Sequence, residues 1–265
     1  MNESSVSISE TVHPTAILHA EARIPDSVTV GPYSIIGPGV VIGERTTIDS
    51  HVLIEKDTTV GDDCRIFKGA VLGTDPQDLK YASEQTSLVV GNRTTIREYA
   101  TLNRGTIDSG TTVVGDDCLI MAYAHVSHDS HVGNHVILAN AVNMGGHVTI
   151  DDWAIVGGVT AVHQFVRIGS HSFVGGGSRL PQDVAPYVMV AGSPCEAYGL
   201  NIVGLRRRGF RRDAIRQIKD AYRLIFQSEL NVSQALDELS GRDDLTPEVD
   251  YMIEFIRASN RGITK

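Results

Sequence analysis

Histidines, a carboxylate and glycines recur at a constant spacing between residues 125 and 165. Three series take every eighteenth position and run side by side: Ser127, Gly145, His163; His128, Gly146, Gln164; and Asp129, His147, Phe165. In a fold that repeats with this period, the members of each series would lie on successive layers of one corner. Such a cluster of histidines, an aspartate, a glutamine and glycines could supply a general base with its helpers, within hydrogen-bond reach of a substrate.

The chemistry predicted for this corner is general-base catalysis. Each histidine taken singly is more simply explained as a polar surface residue, so only their convergence favours catalysis. The backbone N–H of Gly146 could meet a developing oxyanion because no side chain blocks its approach. A metal held by His125, His128 and His131 is the main rival. Their spacing spreads them over a strand and a corner, so we expect no catalytic metal.

The constant step arises from a shorter repeat, a hexad. Every sixth position from Val12 to Leu180 is aliphatic except Asp78, Glu84 and Asp108, and the position two residues earlier is mostly small or β-branched. Side chains two residues apart on a strand point to the same face. Each hexad is therefore predicted to be a short strand with one large and one small inward side chain.

Three hexads make one triangular coil, so the sequence predicts a mainly β fold, a left-handed parallel β-helix of about ten coils over residues 1–195. Glycine often follows the aliphatic position, as at Gly31 and Gly37, and we attribute it to the turning of the chain at a corner. The three exceptions to the pattern predict loop excursions near residues 74–89 and 107–112. Loops on a rigid scaffold are common places for binding residues.

A second corner shows the same step of three hexads at Asn140, Gly158 and Gly176. Glycines stacked on successive coils would leave a shallow trench, which suits a long, thin ligand.

The hexads stop after Pro186, and residues 196–265 are predicted to form a small C-terminal α-helical domain. Residues 211–228 place apolar side chains on one helical face, Asn231 resembles the N-cap of a second helix, and Thr246 with Pro247 opens a third. Residues 205–223 carry eight basic and two acidic side chains. This stretch is either a solvated helix face or a docking surface for an acidic partner or phosphates.

Composition excludes several classes of protein. The net charge of −9 argues against a nucleic-acid-binding protein. Three widely spaced cysteines argue against a disulfide framework or a zinc knuckle, and Cys64 and Cys118 fall in the small inward position as packing residues. No apolar run is long enough to cross a membrane, and residues 1–10 lack the pattern of a signal peptide. We therefore expect a cytoplasmic protein with no stable membrane insertion.

Local motifs carry a resemblance along nearly the whole chain. They are residues 77–81 (QDLKY), 125–129 (HVSHD), 146–147 (GH), 160–165 (TAVHQF), 182–187 (QDVAPY) and 204–210 (GLRRRGF). Together with the hexads they resemble the UDP-N-acetylglucosamine O-acyltransferases of lipid A biosynthesis. The hexads alone would be less specific, because unrelated enzymes share them.

The resemblance implies transfer of a (R)-3-hydroxyacyl group from acyl carrier protein to the 3-hydroxyl of UDP-N-acetylglucosamine, the first step of lipid A biosynthesis. It implies a homotrimer with sites between subunits and no cofactor. His128 becomes the general base, Asp129 its orienting partner, and Gly146 the oxyanion donor. The implied substrate-binding residues are Asp78, Lys80, His125, Asn140, His147, Gly158, His163, Gln164, Gly176, Asn201, Arg207 and Arg208. The basic stretch fits an acidic carrier protein.

The chain departs from the family pattern at several positions. Val203 stands where an acidic residue is common, and Asn103 replaces a common histidine. The unusual residues 143–145 (NMG) leave open a 3-amino acceptor, and Gly176 leaves room for an acyl chain of about 14 carbons. The alternatives are another hexapeptide acyl- or acetyltransferase, a γ-type carbonic anhydrase, and a purely structural β-helix.

Overall fold

The structure is a computed structural model that describes residues 11–265, and the stretch 1–10 used in the signal-peptide argument lies outside the described residues.

Short strands form the three faces of a prism. Sheet 1 contains β1 (Ile17–Leu18), β3 (Ile35–Ile36), β6 (Leu53–Ile54), β9 (Val71–Thr74), β12 (Thr101–Asn103), β15 (His125–Val126), β18 (Asn143–Met144), β21 (Ala161–Val162) and β24 (Arg179–Leu180). Sheet 2 contains β4 (Val41–Ile42), β7 (Thr58–Val60), β10 (Ser87–Val90), β13 (Thr111–Val114), β16 (His131–Val132), β19 (Thr149–Ile150) and β22 (Arg167–Ile168). Sheet 3 contains β2 (Thr29–Val30), β5 (Thr47–Ile48), β8 (Arg65–Ile66), β11 (Thr95–Ile96), β14 (Leu119–Ile120), β17 (Ile137–Leu138), β20 (Ile155–Val156), β23 (Phe173–Val174), β25 (Val188–Gly192) and β26 (Cys195–Leu200).

The register between strands has the predicted step. Ile17 pairs with Ile35 and Asn143 pairs with Ala161, and the partners in each pair are three hexads apart. The nine parallel strands of sheet 3 and the bridge from Val12 to Val30 give ten levels (9 + 1), and β26 then turns back antiparallel. The predicted left-handed parallel β-helix of about ten coils is confirmed.

The core is the column of inward side chains along the prism axis. The large aliphatic positions are almost fully buried from Val30 to Leu180, whereas Val12, Leu18 and Ile24 of the first coil are partly exposed. Cys64 and Cys118 are buried among them as free thiols, as predicted. Burial raises the pKa of the Cys118 thiol to about 11, so this thiol is not a nucleophile at neutral pH.

Glycine follows the aliphatic position for a different reason from the one predicted, the turning of the chain at a corner. The left-handed backbone conformation falls two residues later and is adopted by other residue types, for example Asp129 (φ 58°) and His147 (φ 60°). Glycine is needed for the close approach of the next coil. A Cβ atom at Gly37 would lie 1.6 Å from the carbonyl oxygen of Glu55.

Two loops leave the prism and return in phase. One occupies residues 75–86 between β9 and β10, and the other occupies residues 104–110 between β12 and β13. Across the first loop Val71 pairs with Thr101, five hexads further along, and across the second Thr101 pairs with His125, four hexads further along. The loops therefore insert two hexads and one hexad beyond the ordinary three, and the inward positions keep their phase.

Four helices follow the strands: α1 (Ile202–Arg207), α2 (Arg212–Gln227), α3 (Val232–Ser240) and α4 (Pro247–Arg257). Helix α2 buries the predicted apolar face, and Asn231 forms a capping box with Gln234 at the start of α3. Pro247 occupies the first turn of α4, but Thr246 makes no side-chain capping bond. Helix α1 was not predicted, because so short a helix shows too little periodicity.

The helices pack against the last coils of the prism. The Tyr251 hydroxyl of α4 donates to Asp151 Oδ2 at 2.6 Å, and the Arg167 guanidinium lies 4.3 Å from the centre of the Phe255 ring. Apolar residues of both parts belong to one continuous core. Over residues 11–265, none of the helices has the length and apolar character needed to cross a membrane.

Candidate active site

The predicted corner lies between sheets 1 and 2, where three successive coils turn. His128 and Asp129 lie between β15 and β16, Gly146 and His147 between β18 and β19, and Gln164 between β21 and β22. The His147 N–H donates to the His128 carbonyl oxygen at 3.0 Å, which ties two of these turns together. The strands thus fix the turns, and the turns present their side chains outward in register.

His128 and Asp129 form a hydrogen-bonded pair. His128 Nδ1 lies 2.8 Å from Asp129 Oδ2, and both side chains are largely buried. The second loop completes the pair from the coil below. The Thr106 N–H and hydroxyl donate to the Asp129 carboxylate at 2.9 and 2.7 Å, and the Ser109 hydroxyl donates to it as well.

These bonds keep Asp129 ionised. Burial opposes ionisation, but the hydrogen bonds from Ser109, His128 and Thr106 outweigh it and lower the pKa of Asp129 to about 2. An ionised carboxylate accepts the Nδ1–H of His128 and so leaves Nε2 with its lone pair. Within residues 11–265, Nε2 of His128 has no hydrogen-bond partner. The pair can therefore act as a base toward a molecule outside the prism.

Gly146 makes room for the base. A Cβ atom at this residue would lie 2.5 Å from Cε1 and 2.7 Å from Nε2 of His128, so any larger residue would collide with the imidazole. Its φ is not in the left-handed region, so the need for glycine is one of space.

The backbone N–H of Gly146 has no acceptor among residues 11–265. At another corner the equivalent N–H groups are occupied, because Asp116 N donates to Asn134 Oδ1 and Asn134 N donates to Asp152 Oδ1. The equivalent residue for Gly146 is Gln164, and within residues 11–265 its side chain makes no hydrogen bond to the Gly146 N–H. A donor beside a base is the arrangement that stabilises an oxyanion in acyl transfer.

His147 forms the outer wall of the corner. Its ring stacks on Phe165 at a centroid distance of 4.6 Å and meets the His128 ring edge-on at 5.3 Å. His147 Nε2 lies 3.7 Å from Asp129 Oδ2 and 3.8 Å from Asp108 Oδ2, so carboxylates approach it from two sides. The predicted stack of Asp129, His147 and Phe165 is present.

The remaining histidines of the prediction flank the pair. His125 Nδ1 bonds to the Thr101 hydroxyl at 2.7 Å, and burial, followed by the proximity of His128, lowers the pKa of His125. His163 is exposed, and its Nδ1 lies near both the Gln164 carbonyl oxygen and Arg261. Gln164 is exposed with its side chain open to solvent.

At the position of the predicted trench, the backbones of successive coils lie close together. A Cβ atom at Gly158 would lie 3.0 Å from the carbonyl oxygen of Asn140, and one at Gly176 would lie 3.1 Å from the carbonyl oxygen of Gly158. Larger side chains at these two positions would crowd the backbone of the preceding coil.

Side-chain contacts from Arg104 hold the first loop on the prism, whereas in the described part of the chain Asp78 and Lys80 make only local bonds. The buried guanidinium of Arg104 bonds to Asp75 and to the Tyr81 hydroxyl, which holds the loop on the prism. Lys80 N donates to Asp78 Oδ1 at 3.0 Å, and the Lys80 side chain is exposed. Over residues 11–265, no hydrogen bond or ion pair connects Asp78 or Lys80 to the corner of His128.

The three candidates for nucleotide binding lie at α1. Asn201 Oδ1 accepts from Gly204 N at 3.0 Å and Asn201 Nδ2 donates to the His171 carbonyl at 2.9 Å, so this residue caps the helix and fastens it to the prism. Arg207 is exposed. The guanidinium of Arg208 lies 4.9 Å from the centre of the Trp153 ring, and burial lowers its pKa. Its Nη1 is buried without a partner among the described residues.

A metal could be considered at the corner. Ligand atoms of His128, Asp129 and His147 lie within 4.8 Å of one another. However, Asp129 already accepts four hydrogen bonds, including that of His128 Nδ1. The carboxylate of Asp129 is thus saturated within the protein, and the cluster fits a metal poorly. Neither His125 nor His131 belongs to this cluster in the part of the chain that the structure describes.

Several residues of the site are not among those predicted from the sequence. Thr106 and Ser109 were not named, although the predicted excursion near 107–112 indicated a loop at this coil. Trp153 was not named either, and its position three hexads before His171 could have indicated the stack that the two rings form at 6.1 Å. Nothing in the hexad pattern predicts the contact of Arg261.

Comparison with known proteins identifies relatives of the whole chain. Residues 183–264 match the family model described as domain 2 of UDP-N-acetylglucosamine O-acyltransferase, and residues 111–145 match the bacterial transferase hexapeptide model. Two relatives named acyl-[acyl-carrier-protein]–UDP-N-acetylglucosamine O-acyltransferase are similar throughout. The one from Burkholderia lata is 53% identical and the one from Ectopseudomonas mendocina 52%, each over 96% of this chain and 99% of its own.

Solved structures agree with this similarity. LpxA from Acinetobacter baumannii superposes with a TM-score of 0.93 at 42% identity, over 97% of this chain and 100% of that chain. LpxA from Bacteroides fragilis, described as a UDP-N-acetylglucosamine acyltransferase, gives 0.93 at 40% identity, over 96% and 99%.

Proposed function

The chain belongs to the acyl-[acyl-carrier-protein]–UDP-N-acetylglucosamine O-acyltransferase family, and on that premise we propose that it transfers a (R)-3-hydroxyacyl group from acyl carrier protein to the 3-hydroxyl of UDP-N-acetylglucosamine. This is the first step of lipid A biosynthesis. One observation of the molecule supports the proposal above others: the hydrogen-bonded His128–Asp129 pair lies beside Gly146, whose backbone N–H has no acceptor among residues 11–265.

In the proposed mechanism, Nε2 of His128 removes the proton of the sugar hydroxyl as its oxygen attacks the thioester carbonyl. The carbonyl oxygen gains negative charge and accepts the N–H of Gly146. Collapse breaks the carbon–sulfur bond, and the imidazolium of His128 returns the proton to the departing thiolate of the carrier. Asp129 stays ionised throughout, because its pKa of about 2 lies far below neutral pH, and it stabilises the imidazolium.

Substrate binding is proposed for the residues around the pair. His125, His147, His163 and Gln164 would contact the sugar and phosphates, and Arg207 and Arg208 the nucleotide. The buried and unpartnered Nη1 of Arg208 supports an anionic ligand there. Asn201 contributes through α1, since both ends of its amide already have protein partners.

The acyl chain is proposed to lie along Asn140, Gly158 and Gly176, and the small residues on these successive coils support our expectation of a chain of about 14 carbons. The basic residues 205–223 would receive the acidic carrier protein.

The assembly is proposed to be a homotrimer with sites shared between subunits. Asp78 and Lys80 have no bond to the corner of their own chain within residues 11–265, which fits a loop that serves a neighbouring subunit. Three free cysteines, two of them buried, fit a reducing cytoplasmic location. Residues 1–195 would act as the acyltransferase domain and residues 196–265 as the helical domain.

Mass spectrometry of the reaction tests the proposal. Purified protein is incubated with UDP-N-acetylglucosamine and 3-hydroxyacyl carrier proteins of 10, 12 and 14 carbons, a range of about the capacity of the trench. We expect a nucleotide sugar heavier by one hydroxyacyl group, in highest yield with the longest donor. Product with the 3-amino analogue alone would change the acceptor, and product with acetyl-CoA alone would change the donor class. Activity lost to a chelator and restored by a divalent ion would contradict a mechanism without metal.

A further inference from the structure

The chain ends beside the active-site corner. After α4, residues 258–265 return to the prism and form a parallel bridge between Ile263 and Asp183. Asp183 N donates to the Gly262 carbonyl at 3.1 Å, and Thr264 N donates to the Asp183 carbonyl at 2.8 Å. Ile263 and Thr264 are buried, so this tail is packed in place.

The carboxylate of Asp183 fixes the start of the tail. It is 1% exposed and accepts the Arg167 N–H at 2.8 Å through Oδ1 and the Ser259 hydroxyl at 2.7 Å through Oδ2. This arrangement resists change, because a buried carboxylate oxygen left without a hydrogen bond destabilises the fold. The tail position is therefore well determined up to Arg261.

Arg261 reaches back to the predicted substrate residues. Its Nε donates to the Pro181 carbonyl oxygen at 3.2 Å, and its Nη2 lies 3.2 Å from His163 Nδ1. With Asn260, it lines one cleft together with His147 and Phe165. Among residues 11–265, no carboxylate lies within 4.0 Å of its guanidinium. The contact with His163 is thus its main polar side-chain interaction.

This contact restricts the protonation of His163. A guanidinium only donates hydrogen bonds, so Nδ1 can bond to it only as an acceptor. While this bond is made, Nδ1 carries no proton and the ring proton lies on Nε2. The Gln164 carbonyl oxygen, 3.0 Å from the same Nδ1, favours the opposite tautomer because a carbonyl only accepts. Two groups with opposite demands therefore compete for one nitrogen.

We propose that Arg261 is a positioning residue that holds His163 in the Nε2–H tautomer. His163 then presents a hydrogen-bond donor toward the oxygen atoms of the sugar nucleotide. This inference rests on the proposed function only in taking the sugar nucleotide as the ligand of His163. It makes the last residues of the chain part of the active site, although they lie 98 positions beyond His163.

Nitrogen-15 NMR of the full-length protein with labelled histidine tests the tautomer directly, with the signals of His163 assigned through His163→Asn. We expect protonated Nε2 and bare Nδ1 in the wild type, and a shift toward protonated Nδ1 in Arg261→Met. Arg261→Lys keeps a donor of similar reach and should keep the wild-type tautomer. The matched control is Arg257→Met, since Arg257 is an exposed arginine at the end of α4 that contacts Asp237.

Kinetics provide the second measurement. We expect Arg261→Met to raise KM for UDP-N-acetylglucosamine about 10-fold with a smaller change in kcat, Arg261→Lys to stay within about 3-fold, and Arg257→Met to match the wild type. Protonated Nδ1 in the wild type, or a tautomer unchanged in Arg261→Met, would overturn the inference whatever the activity. An equal loss in Arg257→Met would also overturn it. If the wild type transferred no acyl group, the proposed function would fail while the NMR result would still decide the role of Arg261.

Discussion

Gly146→Ala isolates the position of the base, because alanine keeps the backbone N–H and adds one carbon atom. That carbon would stand 2.5 Å from Cε1 and 2.7 Å from Nε2 of His128. Ordinary contacts between carbon atoms begin near about 3.5 Å, so the imidazole must move by roughly 1 Å. The backbone is not in the left-handed region at this residue, so alanine adds no backbone strain.

A displacement of this size has a predictable cost. A catalytic group misplaced by about 1 Å loses on the order of 10²-fold in rate, or about 2.7 kcal/mol in activation free energy. The move also pulls His128 Nδ1 away from Asp129, which lies at 2.8 Å. We therefore expect kcat to fall about 100-fold, with KM for the nucleotide sugar nearly unchanged because the groups that bind it stay in place.

Steady-state acyl transfer from a labelled carrier protein measures both constants. Gly199→Ala is the matched control, since a Cβ atom there would meet only Met189 Cε at 3.7 Å, an ordinary contact. It should behave as the wild type. Wild-type kcat in Gly146→Ala, in a protein whose circular dichroism and oligomeric state are unchanged, would refute the placement of His128 over Gly146.

Three further predictions concern ionisation and the nucleotide. The pKa of Asp129 is lowered from 3.8 to about 2, so its ionised form stabilises the fold at pH values above 3.8. The difference in unfolding free energy between wild type and Asp129→Asn should therefore shrink as the pH falls from 4 to 2. A difference that stays constant would contradict the hydrogen-bonded pair of His128 and Asp129. Burial, and then the charge of Arg208, lower the pKa of His171 from 6.5 to about 4. The denaturant concentration at the unfolding midpoint of the wild type should therefore decrease as the pH is lowered from 6.5 to 4, because the unfolded state binds the proton first. His171→Phe should lose most of that pH dependence. Trp153 is the chain's only tryptophan, and the Arg208 guanidinium lies over its ring. Its fluorescence should therefore change on titration with UDP if UDP contacts Arg208. No change in the wild type, or the same change in Arg208→Met, would contradict that contact.

The prism was predictable because one short rule governs it. The hexad pattern fixes which side chains point inward, and parallel pairing then fixes the step of three hexads that brings His128, Gly146 and Gln164 to one corner. The same logic gave the wrong reason for Gly37, because hydrophobic periodicity says nothing about φ. Only coordinates show that the glycine accommodates the carbonyl of Glu55.

The groups that orient the base were not predictable in the same way. Thr106 bonds to Asp129 across the coil that the second loop lengthens, so the regular step of three hexads does not connect the two residues. Arg261 contacts His163 only through the return of the tail after four helices. Such contacts depend on how nonrepeating segments pack, and a periodic sequence pattern carries no information about that.

Single-turnover kinetics of His128→Ala test the central claim most directly. Enzyme in excess over acyl carrier protein is mixed with UDP-N-acetylglucosamine, and the acylated nucleotide sugar is followed by mass spectrometry. Removal of a general base is expected to slow the chemical step by about 10²–10⁴-fold. The fold should persist, because His128 lies at an outward turn and not among the inward side chains of the core. A folded variant that transfers the acyl group at the wild-type rate would contradict the account.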